Sequence, residues 1–208
     1  MIKFLPLLAL ALLAGCGSLK STEPQQTIYS LRPLPATEQE GLNVMGLARV
    51  IEIMKPTMPP GMERDRIALY LNNGSKLDYY AGYRWSSTLD EVIQNFTRRT
   101  AANTLPNVVA VISEQAVDAQ FRLQMKVNEF QPVYAGEATD NPRLITNIEF
   151  TLISLPDEKI LTSFTMGREG TATSNRLDVI TAGLEKMLQD IEKDAFTRLE
   201  PWLKNPTL

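Results

Sequence analysis

Cysteine occurs once in the 208 residues, at Cys16, and histidine does not occur at all. The thiol is the best nucleophile in the chain, so its placement is the first question. Taken alone, Cys16 is open to three readings: a free reactive thiol, half of an intermolecular disulfide, or a buried filler. The other groups able to do chemistry are carboxylates. Pairs such as Glu63/Asp65 and Asp90/Glu91 have the make-up of a general acid beside a general base, but such pairs lie on most solvated surfaces, and that is the expectation for these. Without histidine there is no Ser-His-Asp or Cys-His relay and no HExxH zinc site. G-x-S-x-G, S-x-x-K, G-x-G-x-x-G and the Walker A loop are also missing from the sequence. The residues therefore predict a protein that is not an enzyme and holds no metal or other cofactor.

The residues before Cys16 decide among its three readings. A positive start at Lys3 leads into an apolar run over residues 4–13, interrupted only by Pro6. About ten residues cannot span a bilayer, which takes roughly 20, but they suit the core of an export signal, normally ~7–15 residues long. Leu13-Ala14-Gly15-Cys16 then resembles the bacterial lipobox. That resemblance implies diacylglycerol on the Cys16 thiol, cleavage before it, and an N-acyl group such as palmitate on the new terminus. Two or three acyl chains, at ~0.8 kcal/mol per buried CH₂, hold a protein stably where one does not. Gly17 stands where aspartate usually marks inner-membrane retention, so the expected address is the periplasmic face of the outer membrane.

Three segments follow from this: a signal peptide over residues 1–15, the lipidated cysteine and a polar tether over 16–27, and one folded domain over 28–208. Removing residues 1–15 leaves 193, enough for a single well-packed core. A net charge of −3 argues against a nucleic-acid partner. The tether from Gly17 reaches roughly 34 Å at a fully extended ~3.1 Å per residue, so the domain stays near its membrane.

Within the domain, a short strand is expected at residues 28–31 and another within 42–54, where Leu47, Arg49, Ile51 and Ile53 share parity. Asn72-Asn73-Gly74 between two strand-like runs reads as a hairpin. Thr88 to Glu91 has the spacing of a capping box, opening a helix whose apolar face is Leu89, Val92, Ile93, Phe96 and Thr100 and which stops before Pro106. Phe121, Leu123, Met125 and Val127 alternate with polar residues, predicting a sheet with one wet face. Phe130 breaks that parity, so a bulge or strand end is expected near Glu129. Strands follow around residues 148–152 and 160–166. A last helix over about 175–199 carries the stripe Leu177, Ile180, Leu184, Met187, Leu188, Ile191 and Ala195, expected to pack on the dry face. The fold class is α+β, a mainly antiparallel sheet with two helices on one face.

Asp65-Arg66 before a strand, the tyrosine-rich run from Tyr79 to Tyr83, and Arg84-Trp85 before a helix, together with an early Tyr29-x-Leu31, resemble the ABC-type transport auxiliary lipoprotein family, in its paraquat-inducible branch. The resemblance spans nearly the whole mature chain. Trp85-Ser86-Ser87-Thr88-Leu89 departs from the usual Trp-Ala-x-x-Leu. It implies a non-enzymatic outer-membrane lipoprotein that completes an MCE-type lipid transport system, with an MCE-domain protein as partner and a homo-oligomer compatible with it. Trp85 and Arg84 also suit a core edge with a nearby ion pair. As a partner surface the candidates are Tyr80, Tyr83, Arg84 and Trp85, residue types that dominate interface hot spots. The rival reading is an outer-membrane lipoprotein that regulates or scaffolds a cell-wall enzyme. The short tether disfavours it.

Overall fold

The computed structural model describes residues 26–36, 49–113 and 118–204. Cys16, the signal segment, most of the tether and residues 42–48 of the expected second strand lie outside them. In chain order the elements are β1 (Thr27–Tyr29), β2 (Arg49–Ile53), β3 (Arg66–Leu71), β4 (Lys76–Trp85), α1 (Leu89–Thr104), β5 (Val108–Ile112), β6 (Phe121–Val133), β7 (Arg143–Ser154), β8 (Lys159–Thr171) and α2 (Leu177–Lys204).

The eight strands form one sheet that divides at β6. One edge of β6 pairs antiparallel with β7 from Phe121 to Val133, and β7 pairs antiparallel with β8. The other edge is shared. β2 lies parallel to it at Phe121–Leu123, Thr57 bridges Lys126, and β3 joins in parallel at Val133. β2 continues outward to β5, and β3 to β4 and β1. The long ladders are antiparallel, as the alternating sequence predicts. The parallel pairings are short.

Local chemistry explains the main features. Asn72, Asn73 and Gly74 all take positive φ and turn β3 back into β4, a conformation asparagine and glycine tolerate and branched residues do not. The expected irregularity in β6 is a bulge, with the register to β7 shifting between Val127 and Glu129. Beyond it the strand runs on with both faces covered, so Phe130 and Val133 are both buried.

Both helices cover one face, α1 over β2 and β5, α2 over β6, β7 and β8, and they touch each other. Leu123, Val127, Ile148, Phe150 and Leu152 of the sheet meet Ile93 and Phe96 of α1 and Ile180, Leu184, Leu188 and Ile191 of α2 in one core. The stripe on α2 is therefore packed, with Met187 at its margin. This helix is longer than its periodicity suggested and passes through Pro201. Buried Leu199 and Leu203 hold its last turn on the core, and that packing outweighs the one backbone bond proline removes. At Gly183 the helix comes so close to β7 that a Cβ would lie 2.4 Å from Leu144 Cδ1.

Candidate functional site

β4 is locally irregular where the candidate residues lie. Lys76–Tyr79 pair regularly with β3, and then the register jumps, so that residues 80–83 stand opposite Ile67 alone before Arg84 meets Arg66. Gly82, at φ 80°, supplies the left-handed step that this bulge needs. On the other edge of β4, β1 pairs Thr27 with Tyr83, Ile28 with Arg84 and Tyr29 with Trp85.

The bulge sends the four candidates to different environments. Tyr80 turns inward against Leu69, Leu71 and Tyr134. Its hydroxyl lies 2.7 Å from that of Tyr134, which donates in turn to Asn175 Oδ1 at 2.6 Å. Burial, then the shared hydrogen bond, raises the Tyr80 phenol well above its ordinary pKa, so it stays a neutral donor. Trp85 is 3 % exposed, its ring centre 6.2 Å from that of Phe130. Its Nε1 has no hydrogen-bond partner among the described residues. Tyr83 and Arg84 remain at the surface. Tyr83 is 37 % exposed and lies 6.1 Å, ring to ring, from Tyr29. Arg84 Nη1 donates to Asp65 Oδ2 at 2.5 Å, with both side chains partly in solvent.

The segments at Asp65-Arg66 and Arg84-Trp85, far apart in sequence, thus form one knot. The Trp85 amide donates to the Asp65 carbonyl at 2.7 Å, the Leu89 amide to the Arg64 carbonyl at 3.1 Å, and the Ser86 amide to the Tyr29 carbonyl at 2.7 Å. Arg66 lies 4.1 Å over the ring of Tyr79, whose hydroxyl donates to the Gly61 carbonyl at 3.0 Å. These bonds fix where α1 begins. The capping box does not close as its spacing suggested. Thr88 occupies the N-cap without a side-chain cap bond, and Glu91 instead accepts from Ser87 and from Lys55. Those two contacts, Ser87 first, hold the Glu91 carboxyl below its ordinary pKa. Asp65 and Asp90/Glu91 are thus tied to cations, as solvated-surface carboxylates should be.

Sequence reasoning passed over Ile28. It is 68 % exposed and belongs to the strand that flanks Arg84, so with Tyr29 and Tyr83 it makes an apolar and aromatic margin on the β1–β4 edge. Its type could not reveal this, because the parallel β1–β4 pairing joins segments more than fifty residues apart. Among the described residues no cluster of carboxylates is arranged to hold a metal ion, and no helix is long and apolar enough to cross a membrane.

Protein XCC0632 from Xanthomonas campestris superposes with a TM-score of 0.67 at 16% identity, covering 81% of this chain and 91% of that one. A second solved structure, described only as an uncharacterized protein, gives 0.65 at 14% identity, covering 85% and 99%. The hypothetical protein CT253 from Chlamydia trachomatis gives 0.50 at 9% identity, covering 76% and 98%. At these identities the likeness is one of fold. No curated protein sequence matches. Residues 29–194, from Tyr29 through most of α2, match the family described as the ABC-type transport auxiliary lipoprotein component, and the chain belongs to that family.

Proposed function

We propose that the protein is a non-enzymatic lipoprotein of the outer membrane, held there by acyl groups on Cys16, that serves as the accessory component of an MCE-type ABC lipid transport system. The observation that carries this reading is the family match over residues 29–194. The lipobox-like Leu13-Ala14-Gly15-Cys16, the short tether and the lack of histidine agree with it. An anchored domain reaching roughly 34 Å from its membrane needs a partner that crosses most of the periplasm, as a tube-forming MCE protein does. The proposed contact is the β1–β4 edge. Tyr83 and Arg84 reach the surface, Tyr80 and Trp85 support them from beneath, and Ile28 and Tyr29 extend the margin. A ring-shaped partner offers repeated equivalent surfaces and would favour several copies of this chain around it.

Two experiments test the reading. Metabolic labelling with a fatty acid should mark the wild-type protein and not Cys16→Ser; label retained in the serine variant removes the anchor. The native protein, pulled down from solubilised envelopes, should bring an MCE-domain protein with it, and Tyr83→Ser/Arg84→Gln should lose that partner while keeping its fold. Recovery of a cell-wall synthase instead would replace the transport role with a regulatory one. Equal capture by the double variant would leave the role and move the contact elsewhere.

A further inference from the structure

Glu192 lies on the face of α2 turned towards α1, and no part of it reaches solvent. The Thr97 hydroxyl of α1 donates to its Oε1 and also lies 3.5 Å from the sulfur of Met125 on β6. Its Oε2 has no hydrogen-bond partner among the described residues, and neither has the hydroxyl of Thr100, about one helical turn on from Thr97. Thr97 and Thr100, three residues apart on α1, share one helix face, and both are fully buried with Glu192 at the seam.

A carboxylate here would be a buried charge without a counter-charge. α1 brings Thr97 and, one turn on, Thr100 to this seam, and Met125 of β6 lies against Thr97; none of these titrates. On α2 itself the residues one turn away, Leu188 and Phe196, are buried and apolar. The nearest charged neighbours in sequence, Lys193 and Asp194, are exposed, and Asp194 is engaged by Arg168 of β8. Uncompensated burial, opposed only by the two hydroxyls, pushes the carboxyl up to about 8. As a carboxylic acid, Glu192 can accept from Thr97 on Oε1 and donate its Oε2 proton to Thr100. One proton then satisfies both unpaired atoms.

We infer that Glu192 is a proton-operated latch on the α1–α2 seam, closed when the side chain is a neutral acid bridging Thr97 and Thr100, and loosened when it ionises. The latch stands independently of the transport role. When the seam opens, Glu192 returns to water and to an ordinary acidity of 4.5. Opening therefore releases a proton at any pH between about 4.5 and 8, and becomes about tenfold easier per pH unit across that window, levelling above it. The seam is tightest in mild acid. Because α1 starts at the Arg84–Trp85 knot, the latch governs the helix that continues from the proposed contact edge.

Hydrogen exchange of the full-length protein in detergent, followed from pH 5 to 9 and corrected for intrinsic rates, tests this. In the wild type, amides of α1 and α2 around Thr97, Thr100 and Glu192 should open about tenfold more per pH unit up to about 8. By pH 8 they should exchange faster than the β7 core. In Glu192→Gln, a neutral isostere, the slope should vanish. Seam amides that exchange in step with β7 at every pH, or an equal slope in the glutamine variant, overturn the latch. Should that variant fail to accumulate, infrared spectra of the wild type decide. A protonated carboxylic acid band present at pH 6 and fading between pH 7 and 9 supports it, and no such band at pH 6 overturns it.

Discussion

Arg84 and Trp85 adjoin in sequence and do opposite work. Trp85 fills the space beside Phe130, so Trp85→Ala should cost about 3–5 kcal/mol, read as a fall in urea midpoint with unchanged slope. Arg84→Gln removes a half-solvated ion pair to Asp65 and should cost no more than about 1 kcal/mol. This contrast is what makes Arg84→Gln a fair test of partner binding and Trp85→Ala a poor one. Glu192 sets a stability that depends on pH. Its proton is held more tightly folded than unfolded, so its contribution is greatest below about 4.5 and declines through pH 8. The decline is about 1.4 kcal/mol per pH unit. Glu192→Gln should therefore match the wild type in thermal melts near pH 5 and exceed it increasingly towards pH 8. The reverse order would mean that the carboxylate is compensated in the folded state. In sequence Glu192 adjoins the charged Lys193 and Asp194, which disguises it as part of the wet face of α2. Only the approach of α1 buries it.

At the scale of elements, the close contact of α2 with β7 rests on the missing side chain at Gly183. A methyl group there would collide with Leu144, so Gly183→Ala should destabilise by about 1–3 kcal/mol in spite of alanine's better helix propensity. Leu144→Ala should recover part of that loss in a double-mutant cycle, because the two positions share one contact. Gly82→Ala meets no atom and should lose only the strain of a positive φ, about 1 kcal/mol. The elements that were legible are those made by local rules: the Asn-Asn-Gly hairpin, the alternation of β6 and β7 with the parity break at Phe130, and the apolar stripes of both helices. The parallel joins of β1 to β4 and of β2 and β3 to β6 were not, since no periodicity encodes which distant strand lies alongside. The sequence offered Tyr80, Tyr83, Arg84 and Trp85 as a partner surface and Arg84-Trp85 also as a core edge with a nearby ion pair; the second reading holds for Trp85 and Arg84, while the β4 bulge turns Tyr80 inward and leaves Tyr83 outside.

The described residues are held by a main core under both helices and a smaller cluster of Leu69, Leu71 and Tyr134, and the single cysteine of the chain offers no internal disulfide. Melting the full-length protein with and without chelator and reductant should give the same midpoint. A fall of several degrees in either would reveal a metal or disulfide that side-chain packing does not account for. The order of the strands has a mechanical side as well. Any load carried along the N-terminal segment enters at β1, whose three residues lie parallel to β4, so a lengthwise pull shears all three pairs at once. Behind them Leu31 is buried in the core, the Arg32 amide donates to Glu185 Oε2 at 2.8 Å with its guanidinium on the same carboxylate, and Gln189 Nε2 donates to the Arg32 carbonyl at 2.8 Å. Under tension β1 should yield first and the buried Leu31, with Arg32 behind it, should stop the run, freeing residues 27–30, roughly 13 Å of extended chain. The same slip would strip Ile28 and Tyr29 from β4 and bare the backbone beside Arg84 and Trp85, so a domain pulled by its N-terminal segment would present a different edge from one at rest.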